Sequence, residues 1–481
     1  MKYIFFFLLA PLLSYGQIQI GQDILGESIG DFSGGSIQLS LDGSIVAISA
    51  RGNDGNGSDS GHVRVFENIG DNWIQIGQDI DGEEAGDISG ESISLSHDGS
   101  IIAIGTSNNG DFTGHVRIFE NIGGSWIQIG QDIDGENEFD LAGRSVSLSS
   151  NGTIIAVGSP GNSNSEISSG HVRIFENIGG SWTQIGQSID GEDELDNSGR
   201  SVSLSYDGSI VAIGTGLNGS SGHVRVYENI NDTWLQIGQD IDGEEAGDFS
   251  GESISLSGDG TIVAVGAPEN SANGPNSGHV RIYENINGMW LQIGQDIDGE
   301  EAVDRSGTSV SLSSDGSIIA IGASSNSANG FSSGHVRLYE NINNTWVQIG
   351  QDIDGENKLD ELGISVSLSS DGFILATGAI GNDINGNNAG VVRVFDLSGI
   401  LSIEEVIPSQ FSIYPNPAST NVMIQLDPNS TLEKAIIYNS LAQIVKTSTE
   451  TIIDTSDLSK GMYILEVTTH QGKASKKLII E

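Results

Sequence analysis

The carboxylates of this chain recur at a fixed spacing. The pattern Gly-Glu-x3-Asp-x2-Gly-x-Ser occurs seven times, with glutamates Glu27, Glu83, Glu136, Glu192, Glu244, Glu300 and Glu356. Its aspartates are Asp31, Asp87, Asp140, Asp196, Asp248, Asp304 and Asp360. Six of the seven copies put a further aspartate just before Gly-Glu, such as Asp81 and Asp298. Carboxylates with nearby carbonyls are hard oxygen donors, and Ca²⁺ takes about six to eight of them. The calcium candidates are therefore Asp81, Glu83, Asp87, Glu244, Asp248, Glu300 and Asp304. The alternative is that each aspartate accepts N–H bonds from its own loop, as aspartate does in turns. Sevenfold repetition favours that alternative. No metal site and no cofactor is assigned, and Ca²⁺ is the one ion the loops could take.

A second set of polar residues repeats with "GHVR". Its histidines are His62, His115, His171, His223, His279 and His335, with Val391 in the seventh place. Its arginines are Arg64, Arg117, Arg173, Arg225, Arg281, Arg337 and Arg393, each with an acid three residues on, as in Glu67 and Asp396. Pairing of arginine with acid, within or between repeats, is expected. The histidines could bind a metal, but nothing brings three to one place. Catalysis needs one asymmetric constellation. The unrepeated charges, Arg51, Asp54, Glu166, Arg305 and Lys358, are scattered. There is no nucleophile motif, metal-spaced histidine cluster or phosphate loop. An enzyme is not expected, although an unrepeated carboxylate pair could still hydrolyse glycans.

The elements that must position these residues are short strands. "GHVR" or "GVVR" starts at Gly61, Gly114, Gly170, Gly222, Gly278, Gly334 and Gly390. Each repeat reads as four strands: a ("SISLS"), b ("SIIAIG"), c ("HVRIFE") and d ("WIQIGQDI"), with the period-two alternation and β-branched residues of strands. Strands a and b meet at Asp-Gly or Asn-Gly pairs such as Asp98-Gly99 and Asn151-Gly152, the type I′ hairpin signature. The b–c and d–a connections are longer and variable. Repeated four-stranded units suit a β-propeller. The last unit stops after "VVRVFD", and "QIQIGQDI" from Gln17 supplies the missing strand d. The expected fold is all-β: a seven-bladed propeller whose N-terminal strand closes the last blade, plus a small C-terminal β-sandwich. Trp73, Trp126, Trp182, Trp234, Trp290 and Trp346 open strand d and read as packing between blades.

"SGESISLSGDGTIVAVGAPEN" (Ser250–Asn270) resembles an FG-GAP repeat, the blade motif of the integrin α-subunit propeller. The Gly-x-Ser start and "GAP" at Gly266–Pro268 carry the resemblance, and "GSP" at Gly158–Pro160 is a weaker copy. The family's Phe is replaced by Ser, Ala or Leu. The family's calcium lies in an Asp-rich a–b loop. Here that loop is a two-residue turn, so those calcium sites do not carry over.

Net charge is −46, and residues 17–399 hold 56 acidic and 12 basic residues, a balance of 12 − 56 = −44. Nucleic acid and anionic lipid are repelled by such a surface. There are no cysteines, so stability rests on a packed core. Residues 1–16, "MKYIFFFLLAPLLSYG", read as a secretory signal peptide with an apolar run too short to span a membrane. No later stretch reaches the roughly 18 apolar residues of a transmembrane helix.

Residues 17–399 are read as the propeller, 400–408 as a linker and 409–481 as a separate β domain holding most of the lysines. "FSIYPNPAS" (Phe411–Ser419), "GMYILEV" (Gly461–Val467) and the terminal "KKLII" resemble the type A sorting domain of the Bacteroidetes type IX secretion system. The resemblance places the sorting motif at Tyr414, Pro415, Asn416, Pro417, Gly461 and Tyr463. It implies a β-sandwich read by the outer-membrane translocon and usually clipped off, and a Gram-negative source. Together these readings give an extracellular, secreted or outer-membrane-surface protein, expected as a monomer. Its partners are the type IX machinery, through residues 409–481, and an unidentified glycan, protein or surface. The expected function is binding or adhesion at the face formed by the d–a and b–c loops, because loops on a rigid scaffold carry binding. The alternatives are a glycan hydrolase or lyase on the same scaffold, and a purely structural surface protein.

Overall fold

The computed structural model describes residues 16–216, 221–401, 411–426, 431–439, 444–456, 458–469 and 472–480. Residues 1–15 of the expected signal peptide and 402–408 of the expected linker lie outside the described residues. The chain divides into two compact units, Met1–Leu401 and Ser402–Glu481.

The first unit holds seven antiparallel sheets, each with its strands in the order a to d. Blade 5 shows the plan: Ser253–Leu256, Ile262–Ala267, His279–Asn285, and a strand d in two pieces, Trp290–Gln292 and Ile297–Asp298. Its a–b turn needs glycine twice over. Gly260 has φ +72°, and a Cβ there would lie 2.7 Å from Ile210 Cδ1 of the preceding blade. Asp259 ties the hairpin by accepting the Thr261 N–H at 3.0 Å and the Thr261 and Ser257 hydroxyls at 2.7 and 2.8 Å. Burial raises its pKa, but these bonds outweigh burial and hold the carboxyl below its ordinary value.

Blade 7 draws on both ends of the unit. Its strands a to c are Ser365–Leu368, Ile374–Ala379 and Val391–Asp396, and strand d is Ile18–Gln19 with Ile24–Leu25. Ile18 lies opposite Asp396 and Ile24 opposite Val392. The offset start of the sequence is thus used as expected, to complete the last sheet.

Two belts of hydrogen bonds join the inner strands. On the hairpin side, main-chain N–H groups donate in the order Leu41 to His97, His97 to Ser150, Ser150 to Tyr206, Tyr206 to Gly258, Gly258 to Ser314 and Ser314 to Ser370. Ser370 then donates to Leu41, and all seven bonds span 2.8 to 2.9 Å. In the second belt, hydroxyls of Ser94, Ser147, Ser203, Ser255, Ser311 and Ser367 accept an N–H from the next blade at 2.9 to 3.0 Å.

Six tryptophans lock the outer strands. Each indole N–H donates to an isoleucine carbonyl in strand d of the preceding blade at 2.8 to 3.0 Å, as Trp290 does to Ile237. Each ring lies against a positive-φ glycine of that strand, such as Gly238. Gly350 is the exception, because Gln17 stands where a tryptophan would. Gln17 and Ile400 fill the space instead. Ile400 is buried on the one-turn helix Ser398–Leu401, beside Leu397 and Ile349. Ile400 and Leu401, placed in the linker by sequence, therefore belong to the first unit.

The second unit is a two-sheet sandwich. One sheet orders Phe411–Tyr414, Asn421–Leu426 and Ile452–Asp454. The other orders Ile444–Ser448, Leu432–Tyr438, Gly461–Thr469 and Gly472–Ile480. Phe411, Val422, Ile437, Leu465 and Leu478 are among its core residues.

Candidate functional site

The repeated acids of the d–a loops divide into separate roles. Each aspartate turns inward and is buried. Asp87 accepts the Glu84 N–H at 2.8 Å, Asp304 the Glu301 N–H at 2.8 Å, and Asp248 both the Glu245 N–H at 2.9 Å and the Asn270 amide at 3.0 Å. The glutamates face outward. Glu83, Glu244 and Glu300 pair with Arg117, Arg281 and Arg337 of the following blade at 3.8, 3.5 and 3.8 Å. The partner of each arginine is thus the glutamate of the preceding loop, about 36 residues away, not the acid three residues on. The same arginines donate to the carbonyls of Asp81, Asp242 and Asp298 at 2.7 to 2.8 Å. They also lie over the aromatic ring two residues on, 5.4 to 5.6 Å from its centroid. The Asp81 carboxylate lies near His62, so Asp81, Glu83 and Asp87 face three different partners.

The GHVR histidines are buried. Burial first, and the neighbouring arginine second, lower the pKa of His62, His171, His223, His279 and His335. They are neutral at physiological pH. In blades 1, 4, 5 and 6 each meets the loop glutamate and an aspartate of strand d: Asp79, Asp240, Asp296 or Asp352. The sequence reading missed these four aspartates. Their signal was the Asp of "QDI", repeated in six of the seven units.

The long-loop face carries what does not repeat. Of the 12 basic residues in 17–399, seven are the strand-c arginines. The other five, Arg51, Arg144, Arg200, Arg305 and Lys358, all lie in or beside the d–a and b–c loops. Arg144 and Arg200 occupy the variable x of Gly-x-Ser, where other blades place Gly35, Glu91, Glu252, Thr308 and Ile364. Arg200 grips Glu252 through Nε and Nη2 at 3.0 and 2.7 Å. Arg144 pairs with Glu91, and Arg305 with Glu269. Burial first, then Arg200 and Arg51 against the pull of Glu252, bring the Arg144 pKa down to about 10. Arg51, Arg144 and Arg200 therefore share one electrostatic neighbourhood. Two cavities of about 190 and 210 Å³ flank the Arg200–Glu252 pair; Phe249 lines both, Leu141 and Pro160 one, Arg305 and Thr308 the other.

Backbone conformation concentrates here too. The residue after each loop aspartate is left-handed though not glycine: Phe32, Ile88, Leu141, Asn197, Phe249, Arg305 and Glu361, at φ 52° to 59°. That conformation costs roughly 1–2 kcal/mol per residue. It presents side chains of six kinds at seven equivalent places, and such strain gathers at functional surfaces. On the hairpin side a cavity of about 200 Å³ is ringed by the belt serines. There the His97 and Tyr206 rings meet edge-on at 3.9 Å, and Tyr206 donates to Ser370 at 3.3 Å.

In the second unit, Asn416 of "YPNP" bridges the terminal strand: its amide donates to the Lys477 carbonyl at 2.7 Å, and its oxygen accepts the Ile479 N–H at 2.8 Å. Tyr414 is exposed at the motif's edge. Gly461 lies opposite Ile480, and the buried Tyr463 donates to the Ser459 carbonyl at 2.8 Å. Asn416, flanked by Pro415 and Pro417, thus meets the terminal strand, and Gly461 and Tyr463 lie on the strand paired with it, whereas Tyr414 lies on a strand of the other sheet.

Comparison with known proteins agrees with these two parts. The secretion system C-terminal sorting domain matches residues 412–481, and the FG-GAP repeat matches residues 241–283, from the end of strand d in blade 4 into strand c of blade 5. The sorting domain implies export out of the cell through the type IX system and an interaction with its machinery. No curated protein matches the chain. Among solved structures, U3-55K is 12% identical over 80% of this chain and 99% of its own, with a TM-score of 0.49. The periplasmic gluconolactonase PpgL of Pseudomonas aeruginosa is 13% identical over 87% and 97%, at 0.45. The Dos1 propeller is 11% identical over 79% and 96%, at 0.46. Among the described residues, no helix is long and apolar enough to cross a membrane.

Proposed function

We propose that the exported propeller is an extracellular binding module, and that its ligand docks on the long-loop mouth around Arg144, Arg200 and Glu252. One observation carries this reading: every basic residue of the propeller outside the strand-c framework belongs to that face, in a domain of net charge −44. The mouth alternates arginine with glutamate beside Phe249 and Leu141, which suits a polar, charge-bearing partner such as a glycan or a protein surface. An array of glycans and surface proteins probed with the wild-type chain and with R200A tests it. A ligand bound by wild type and lost in R200A is expected. Equal binding by both would move the site elsewhere.

A second reading, a glycan-cleaving enzyme, draws on Glu361. Burial pushes its carboxyl above the ordinary range, against the pull of Arg51, as a general acid requires. Release of reducing ends from any arrayed glycan, abolished in E361Q, would select it over simple binding.

A further inference from the structure

The outer edge of the propeller carries a side-chain cluster separate from the mouth. In blade 6, His335 Nδ1 lies 4.0 Å from Glu300 Oε2 and 3.9 Å from Asp352 Oδ2. The imidazole is fully buried, and among the described residues neither ring nitrogen has a hydrogen-bond partner. The two carboxylates reach solvent, with side chains 44% and 28% exposed. A buried nitrogen thus faces two accessible oxygens across a gap too long for a hydrogen bond. Buried polar groups left in that condition are rare.

A metal ion would resolve the gap. Bond lengths of about 2.0–2.2 Å to nitrogen and oxygen put tetrahedral ligand atoms roughly 3.3 Å apart, so each carboxylate must draw in toward His335 by about 0.6 Å. Exposed glutamate and aspartate rotamers allow that movement. One imidazole and two carboxylates, with room for water, match the zinc-like ions; calcium prefers more ligands, all oxygen.

The other blades act as internal variants. Blade 5 repeats the arrangement: His279 Nδ1 lies 3.9 Å from Glu244 Oε2, both ring nitrogens are unpartnered, and Asp296 completes the set. Blade 1 holds the equivalent triad; blade 4 brings Glu192, His223 and Asp240 together, but there His223 has a further partner. Blade 3 has Ser188 in place of the aspartate. In blade 2, Asn109 comes within 3.5 Å of His115 Nδ1. Blade 7 has Val391 in place of histidine, and there Asp23 accepts from Nε and Nη2 of Arg393, each at 3.1 Å. Among the described residues, no such aspartate–arginine pair forms in blades 1, 4, 5 or 6.

We propose that Glu300, His335 and Asp352, with their counterparts in blades 1 and 5, each bind one divalent transition cation of the zinc class. The test is calorimetric titration of Zn²⁺ into the purified, chelator-treated full chain, with Co²⁺ absorption reporting nitrogen and oxygen ligation. Three saturable equivalents are expected, one each for blades 1, 5 and 6. H335Q and D352S should each lose one, and S188D should add one. D352S copies the serine that blade 3 already accommodates, so it answers the question if H335Q does not fold. Zn²⁺ uptake unchanged in D352S, or displaced by an equal concentration of Ca²⁺, would overturn the proposal and leave only a generally acidic surface.

Discussion

Blade 5 is one uninterrupted stretch of chain; blade 7 is assembled from two stretches some 370 residues apart. Both pair four strands in the same register. They differ where a repeated side chain has been exchanged. Blade 5 seals its outer edge with Trp290, buried against Gly238, whereas the matching space beside Gly350 is sealed by Gln17 and Ile400. Blade 5 has His279 with Asp296, whereas blade 7 has Val391 and an Asp23 redirected to Arg393. The scaffold thus specifies a volume to fill and a charge to satisfy. It does not specify the residue that does either, and two exchanges are absorbed within one blade.

The largest break in this comparison is deletion of residues 17–25. It removes the outer strand of blade 7, exposes the edge of Val391–Asp396, and leaves the buried Arg393 without Asp23. Lost burial of Ile24 and the lost strand bonds together cost on the order of 5 kcal/mol. Thermal unfolding should show the truncated chain melting well below the intact one. An unchanged melting temperature would mean that blade 7 does not depend on its N-terminal strand.

Next in size is the edge seal. W290A should cost about 3–5 kcal/mol and I400A about 2–4 kcal/mol, because both open a cavity beside a positive-φ glycine. Denaturant unfolding of the two variants compares them directly. An I400A protein as stable as wild type would show that Gln17 fills the place alone.

The smallest effect separates the blades by acid. His279 has a folded-state pKa below its ordinary 6.5, through burial first and Arg281 second. The unfolded chain therefore binds more protons as pH falls below 6.5. The stability due to a neutral His279 is complete above that value and is lost on acidification. His62, His171, His223 and His335 share this direction, whereas blade 7 has no histidine at the position. Unfolding free energy should fall between pH 7.5 and pH 5, and H279V, which copies blade 7, should fall less. Identical slopes for the two proteins would show that the imidazole is not held neutral.

Much of the scaffold was legible because repetition stood in for other sequences. Asp-Gly pairs located the hairpins, alternation located the strands, and "QIQIGQDI" declared itself a displaced strand d. Three features were not legible, each for a physical reason. Ile400 lies outside the repeat, so no periodicity marked it as the stand-in for a tryptophan. The Glu300–Arg337 pair crosses between blades, and short-range spacing suggested Glu340 in place of Glu300. Arg144 and Arg200 sat within a motif read as framework, so their charges passed as part of it. Their signal was the reverse of periodicity: one position changing from Gly to Glu to Arg to Thr inside a fixed frame.

The pairing of Ile24 with Val392 also sets an order in time. A chain that emerges from its N-terminus presents this strand first, yet the strand has no partner until Val391–Asp396 has followed it. Six blades can form from neighbouring segments while the seventh waits, because its contacts span nearly the whole propeller and such long-range closure is slow. Completion is therefore withheld until the last propeller strand is free. Emergence of that strand marks the moment when a pliable chain becomes a locked one.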